Sequence, residues 1–379
     1  MGDIDTYWYF YAIFLWTVIA WIGCKYFSQK SSPKLYFALV YIPLSLIAGL
    51  RHWSVSDDTL PYLHIFYRVQ GRAFEALWEG KGEKEVGYLL LNAITALITE
   101  EGQCIILLCA IVTICGYGLF FYKYSSDFYL STVLYVGLIS YFSSFILIRQ
   151  QMATMILLWA MQALWRGRRK RFVYLVLLAS TVHVAALVFL PFVVLYPLSL
   201  RRSIICLLVV SLFAVSFIGA GQGLSMFKPF LATLDVFARY AHYIGGRYDV
   251  SKPIGFGVLR SLLWGGISIY GLYLYRRFYQ KLYALKDENV QFLLWNSLFV
   301  FLFALLTPLG YYGGIIGRIS VYFSVYIYLL FPFILTNFTN RSREVVKVFS
   351  CLACLAFLVI FVTRHAAEDY YAYRFFFDW

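Results

Sequence analysis

Apolar runs, each close to the length of a bilayer crossing and separated by short polar stretches, set the pattern of the chain. They cover Tyr7 to Phe27, Leu35 to Leu50, Gln103 to Tyr122, Phe128 to Phe145, Arg149 to Trp165, Ser203 to Gly219, Ile254 to Tyr275, Val290 to Leu306, Arg318 to Leu335 and Val345 to Val362. A helix of about 20 apolar residues crosses the roughly 30 Å of hydrocarbon in a bilayer. Hydrocarbon offers no partner for a free N–H or C=O, so spanning segments are helices or a closed barrel, and runs this long select helices. The expected fold class is an all-α polytopic membrane protein with about 10 to 12 transmembrane helices plus interfacial or re-entrant helices. No linker or repeat divides the chain, so residues 1–379 are expected to form a single transmembrane domain.

Basic residues set the expected orientation. Lys25, Lys30 and Lys34 share one short polar stretch, and Arg166 to Arg171, Arg276 to Lys286 and Arg341 to Lys347 mark three more. The positive-inside rule makes all four cytoplasmic and turns both termini outward. Two stretches break the alternation. Val86 to Thr99 is apolar but only about fourteen residues long, with both flanks outside, so it is expected to be interfacial or re-entrant. Phe172 to Leu200 starts and ends inside but is about one and a half spans long. It is either two short crossing helices or one bent hairpin, with His183 near the turn. The outer face then carries loops at about 51–103, 220–253 and 307–317. In the first, the amphipathic stretch Pro61 to Trp78 is suited to lie on the bilayer surface through Tyr62, Ile65, Phe66, Val69 and Phe74.

Composition agrees with this reading and removes competitors. The 379 residues are 62% hydrophobic and 13% charged, against roughly 45–50% apolar in soluble domains. The net charge of +13 comes from loop clusters such as Trp165-Arg166-Gly167-Arg168-Arg169-Lys170-Arg171, so nucleic acid is not an expected partner but membrane lipid is. Aromatic residues make up 21% of the chain, which suits interfacial belts and helix packing and also the stacking of sugar rings. The seven Cys lie in or beside apolar runs with no disulfide framework. The acidic opening Met1-Gly2-Asp3-Ile4-Asp5 is unlike a removable signal peptide. There is no phosphate-binding Gly loop before Lys-Ser/Thr, no His-Glu-x-x-His helix and no Gly-x-Ser-x-Gly elbow. Nucleotide-driven transport and metalloprotease chemistry are thereby disfavoured, and no cofactor or metal is expected.

Ionisable residues at or inside apolar runs are costly unless paired or hydrated, which makes them functional candidates. Arg51 and Asp57 sit six residues apart after the second run, close enough to pair in a turn; a snorkelling Arg beside loop carboxylates is the plainer alternative. In Ile148-Arg149-Gln150-Gln151, an Arg at the outer end of a span suits phosphate oxygens, which its planar fork binds bidentately. His183, between Ala179-Ser180-Thr181-Val182 and Val184-Ala185-Ala186, is either a bundle residue or an imidazole able to take a proton from a sugar hydroxyl. Arg239-Tyr240-Ala241-His242-Tyr243, Arg247-Tyr248-Asp249 and, later, Arg318 with Tyr322 alternate cations with rings, as a clamp for an anionic, sugar-bearing ligand or as a headgroup anchor.

In their order along the chain, these positions resemble the EpsG family, relatives of the Wzy-type O-antigen and capsule polymerases. A helix ending in Arg, an Asp six residues on and a Tyr beyond look like Arg51, Asp57 and Tyr62. A Glu before a short apolar helix looks like Glu85-Val86-Gly87-Tyr88. Arg-Gln-x-x-Ala is matched by Arg149-Gln150-Gln151-Met152-Ala153, the His near a helix turn by His183-Val184-Ala185-Ala186, and a late Arg before aromatics by Arg318, Tyr322 and Phe323. Where the family commonly has Gly shortly before the Asp, this chain has Val55-Ser56.

The resemblance implies a GT-C-like architecture and a multi-pass protein of the bacterial inner membrane, its active site facing the periplasm or outside. It implies polymerisation of undecaprenyl-diphosphate-linked oligosaccharide repeats into O-antigen, capsule or exopolysaccharide. The lipid-linked oligosaccharides are the substrates, with a chain-length regulator and a flippase as companion proteins. Arg149, Arg318, Arg51 and Arg247 are the expected diphosphate ligands, Tyr62, Tyr240, Tyr248, Tyr322 and Gln150 the sugar contacts, and His183 or Asp57 the base. An O-antigen ligase or other lipid-linked glycosyltransferase would use the same inventory, and a polysaccharide or lipid transporter is the reading from another class.

Overall fold

The computed structural model describes residues 7–27, 32–72, 75, 85–195, 255–282, 288–309, 314–364, 370 and 372–377. They are helical throughout, with two isolated β-bridges and no strand among the described residues. Among the described residues, five helices are long and apolar enough to cross a membrane, six if one bent pair counts as a single span. The residues fall into two compact units, Met1–Trp159 with Tyr174–Leu187 and Leu335–Trp379, and Ala160–Val173 with Val188–Ile334.

The first unit opens with α1 (Trp8–Ile22), extended by a π-helical turn to Phe27, and α2 (Pro33–Gly49). Ser32 caps α2 by accepting from Leu35 N at 3.3 Å, and Pro33 occupies the first turn, where no N–H is needed. After a 3-10 turn at Trp53–Val55 come α3 (Thr59–Val69), α4 (Val86–Ile98) and α5 (Gln103–Tyr124). Helices α2 and α5 lie close together; a Cβ on Gly118 would stand 2.5 Å from the Tyr41 ring, so only glycine permits that approach.

The expected single span from Phe128 to Phe145 is broken. Helix α6 (Phe128–Gly137) and α7 (Ser140–Ile146) meet at 50°, and Ile139 between them adopts φ 71°, a left-handed conformation that a β-branched residue takes up only when its surroundings enforce it. An unbroken apolar run hides such a bend. Next come α8 (Ile148–Trp165) and α9 (Arg169–Val182), whose α-helical run stops at His183 and tightens into a 3-10 turn over Val184–Phe189, followed by α10 (Phe192–Leu195). The long Phe172 to Leu200 stretch thus changes helix type at the histidine.

Hydroxyl groups inside the helices bond backward along them: Thr17 to Ile13 O, Ser45 to Tyr41 O and Thr132 to Phe128 O, each at 2.7–2.8 Å. This removes unsatisfied donors from an apolar environment. One end of the first unit collects the basic loop residues. Lys347, on α15 (Asn340–Arg364), places Nζ 2.7 Å from Asp127 Oδ2 and 3.0 Å from Glu344 Oε1, while Lys25 lies 3.3 Å from Glu344. Asp127 also caps α6 through Leu130 N at 3.1 Å, so the network ties α1, α6 and α15 together. The Lys25 and Lys347 loops, expected on one side, meet here.

The face of α3 expected on the bilayer surface turns inward instead. Tyr62, Ile65, Phe66 and Val69 are buried with Tyr88 and Leu89 of α4, Ile105 and Ile106 of α5, and Met152 of α8. Burial against protein removes more apolar surface from water than a shallow seat among headgroups would. Phe74 lies outside the described residues. Helix α4 has thirteen residues, a rise of roughly 20 Å, too short to cross a hydrocarbon layer of about 30 Å. Its outer stripe of Val86, Leu90, Ile94, Leu97 and Ile98 is exposed.

The second unit is built on α11 (Gly255–Leu282), α12 (Glu288–Leu309), α13 (Gly314–Ser324) and α14 (Ile327–Leu335). Ser268 Oγ donates to Ser297 O at 2.7 Å between α11 and α12. Phe189, Phe192, Trp295, Phe299 and Phe323 form an aromatic core, with Phe189 stacked on Phe323 at 5.4 Å.

Candidate functional site

Three separated segments of the first unit converge on one carboxylate. Glu85 stands at the N-cap of α4, in extended backbone (φ −68°, ψ 133°), but its side chain does not cap its own helix. Oε2 forms an ion pair with Arg149 Nη1, while Oε1 lies 3.5 Å from His183 Nδ1 and accepts the backbone N–H of Val184 at 3.4 Å. The carboxylate and imidazole side chains are 4% and 7% exposed and the guanidinium side chain 17%, which leaves the arginine as the member nearest solvent.

Local chain geometry explains the convergence. Arg149 is the second residue of α8, where the helix dipole presents positive charge, so a cation there is unfavourable unless an anion accompanies it. The change from α to 3-10 at His183 presents the Val184 N–H to the same carboxylate. Gly87, two residues beyond Glu85, sets the spacing: a Cβ at that position would stand 2.3 Å from Thr181 Oγ1 and 2.9 Å from Thr181 O on α9. A larger residue would push apart the two helices that bring Glu85 to His183. Tyr62 and Tyr88 complete the surroundings, each ring centre 5.7 Å from the Arg149 guanidinium carbon and the two rings edge to face at 5.7 Å. Gln150 and Gln151 are buried behind the arginine, and Gln151 Oε1 accepts the Tyr117 hydroxyl at 2.9 Å.

Of the residues selected from sequence, Arg149, His183 and Tyr62 come together here, and Gln150 adjoins them in the chain. Arg51 is placed differently. It is 1% exposed and does not pair with Asp57, which is exposed. Its guanidinium donates to Ala48 O, to Phe145 O at 2.8 Å and to Thr59 Oγ1 at 3.2 Å. Ala48 and Phe145 belong to the last turns of α2 and α7, so Arg51 supplies positive charge and donors to two helix C-termini. That is stronger compensation than an exposed loop carboxylate offers. Burial brings the guanidinium down to about 10, still protonated at neutral pH. The loop is fastened by the chain end: Arg51 bridges Phe375, Ser56 bridges Tyr370, and Phe376 N donates to Leu50 O at 2.9 Å.

In the second unit, Arg318 is half-buried in the first turns of α13, and Tyr322 is buried with its ring 6.0 Å from Phe189. Arg247, Tyr240 and Tyr248, the loop at 220–253 and the run Ser203 to Gly219 lie outside the described residues.

Sequence alone assigns Glu85 and Tyr88 no role beyond their place in the family motif. Their signal was an acidic residue immediately before a short amphipathic helix, with a glycine two positions later. What remained hidden was its partners, 64 and 98 residues further along the chain.

A buried carboxylate thus meets a guanidinium, a backbone N–H and an imidazole. The EpsG family model matches residues 34–375. The chain belongs to the EpsG family. It is therefore a polysaccharide-polymerase-like membrane protein, glycosyltransferase-like in general chemistry. No curated protein and no solved structure matches it significantly.

Proposed function

We propose that this EpsG protein polymerises undecaprenyl-diphosphate-linked oligosaccharide repeats on the outer face of a bacterial inner membrane, within a GT-C-like bundle of about 10 to 12 spans. The observation that carries the reading is the meeting of Arg149, Glu85 and His183 in one buried cluster. In this mechanism the growing glycan on its lipid diphosphate is the donor, and a hydroxyl of the incoming lipid-linked repeat is the acceptor. The hydroxyl oxygen attacks the donor's anomeric carbon and the bond from that carbon to the diphosphate oxygen breaks. The hydroxyl proton passes to His183. The diphosphate leaves as an anion, and Arg149 holds its charge, so the protein's main work is orientation and electrostatic stabilisation. His183 is preferred to Asp57 as the base because its ring stands beside the arginine-bound carboxylate. Tyr62 and Tyr88 are buried and pack their rings on the Arg149 guanidinium. Arg318 and Arg247 share the phosphate-binding task on the strength of the sequence pattern.

The test is to incubate the purified protein in lipid with chemically defined undecaprenyl-diphosphate repeats, without added metal, and to resolve the products by size. A ladder of chain lengths supports the polymerase. A single transfer to a different acceptor would identify a ligase. Substrate counterflow with no elongation would replace the enzyme with a transporter.

A further inference from the structure

Arg51 uses only part of its guanidinium group in the contacts described above. Nη1 and Nη2 donate to Ala48 O, Phe145 O and Thr59 Oγ1, whereas Nε is buried and has no hydrogen-bond partner among the described residues. Thr113, near the middle of α5, is in the same condition. Thr17, Thr95, Thr132, Thr154 and Thr307 each donate to the carbonyl four residues back in their own helices. The buried Thr113 Oγ1 makes no such bond and no other among the described residues. Both side chains line one cavity of about 10 Å³ between α5 and the α7–α8 corner, roughly the volume of a single water-sized sphere. Cys109 and Ser144 are the other polar side chains in its wall, which is otherwise apolar and buried throughout.

A charged N–H and a hydroxyl left unbonded away from water are both destabilising. Cavities that stay empty are lined by apolar groups, whereas polar ones take up water. We propose that this cavity is a hydration site, in which one ordered water bridges Arg51 Nε to the Thr113 hydroxyl and so joins the Arg51 loop to α5. Arg51 can only donate, and the Thr113 hydroxyl has a hydrogen to give, so the water oxygen accepts from both. One water hydrogen is then available to Ser144 Oγ, whose own hydrogen is committed to Tyr141 O at 2.6 Å. Three hydrogen bonds are the usual complement of a buried water. A neutral molecule suffices here, because the Nη atoms already set the positive charge against the carbonyl ends of α2 and α7. The assignment does not rest on the proposed reaction.

The first measurement is a high-resolution map of the full chain in lipid nanodiscs, prepared without halide. It is expected to show one water about 2.8–3.0 Å from both Arg51 Nε and Thr113 Oγ1. A map that resolves other buried waters and leaves this cavity dry would overturn the proposal. The second measurement is energetic. Thr113→Val keeps the shape and deletes the hydroxyl, and its unfolding equilibrium constant in mixed micelles is expected to rise about fivefold, the scale of one net hydrogen bond. In an Arg51→Met background the same change is expected to cost less than about twofold, since the water has already lost its charged donor. A Thr113→Val protein as stable as the wild type, or more so, would mean that the hydroxyl has no partner in the cavity. An equal loss in both backgrounds would assign its partner to its own helix, and either result would overturn the bridge. Should Arg51→Met not fold, the map and the single variant decide. A saturable stabilisation of the wild type by chloride that Thr113→Val abolishes would put an anion in the cavity and refute the water.

Discussion

Arg51 and Arg149 both bring a guanidinium group to a helix end in the same compact unit, and they are held in opposite ways. Arg51 follows the C-terminus of α2 and reaches the C-terminus of α7, where carbonyl oxygens and two helix dipoles welcome a cation. Its two Nη atoms donate to backbone carbonyls and to Thr59 Oγ1. Arg149 lies in the first turn of α8, at the wrong pole for its charge, and is held by a carboxylate that has a second partner. A cation at a helix C-terminus closes a structure. A cation at an N-terminus depends on a paired carboxylate, and here that carboxylate comes from another helix.

The largest expected effect separates the two in activity. Arg149→Gln removes the charge that would meet the leaving group, and turnover per folded molecule is expected to fall ~10²–10³-fold, the scale for losing one such donor. Glycan ladders quantified against correctly inserted protein measure this. Near-normal ladders from folded Arg149→Gln would strip the site of its proposed role and erase the contrast with Arg51.

Next is Arg51→Met, which leaves two helix-end carbonyls without their charged donor in a buried place. Hydrogen bonds to charged groups contribute about 1.5–3 kcal/mol each, so a loss of roughly 3 kcal/mol or more in stability is expected. Thermal unfolding in detergent reads it. Turnover of the folded fraction should stay within about twofold, since the guanidinium touches carbonyls and Thr59. A folded Arg51→Met with abolished turnover would make Arg51 a second phosphate ligand after all.

These two arginines also show what the sequence could and could not tell. The apolar runs made the helical membrane class legible, because length and hydropathy are local properties. Arg149 and His183 stood out because charge inside an apolar run is costly wherever it occurs. A gap of six residues allows Arg51 to pair with Asp57 or to snorkel, but carbonyls from Ala48 and Phe145 provide better compensation, and Phe145 is 94 residues away. Glu85 was visible as a motif but not as the centre of a cluster, because both its partners come from other helices. The bend between α6 and α7 left no mark in hydropathy, since it depends on the backbone conformation of Ile139.

A smaller effect tests whether spacing matters on the Arg149 side. Gly87→Ala places a methyl against Thr181 and forces α4 from α9. Overpacking of this kind costs typically 1–3 kcal/mol. Because the displaced helix carries Glu85, turnover should drop more than diphosphate affinity does, as Arg149 stays on α8. Parallel measurement of ladder formation and diphosphate binding gives the ratio. Equal losses in both would mean that Gly87 supports the fold alone and does not set the Glu85–His183 distance.

The smallest effect returns to the Arg51 side, where the chain end straps the loop. The Tyr373 hydroxyl donates to Ile47 O at 2.8 Å, in the last turn of α2, and His52 N donates to Arg374 O at 2.9 Å. Tyr373→Phe deletes the bond to Ile47 O and keeps the ring, which packs 5.4 Å from Tyr9 and 5.2 Å from Phe375. A single neutral hydrogen bond contributes about 0.5–1.5 kcal/mol net, so a modest drop in unfolding temperature is expected, with ladder length and turnover unchanged. A change in product length without loss of stability would carry a different meaning. It would place the strap, and through it the Arg51 loop, in contact with the growing glycan, and the division between a closing arginine and a working one would no longer hold.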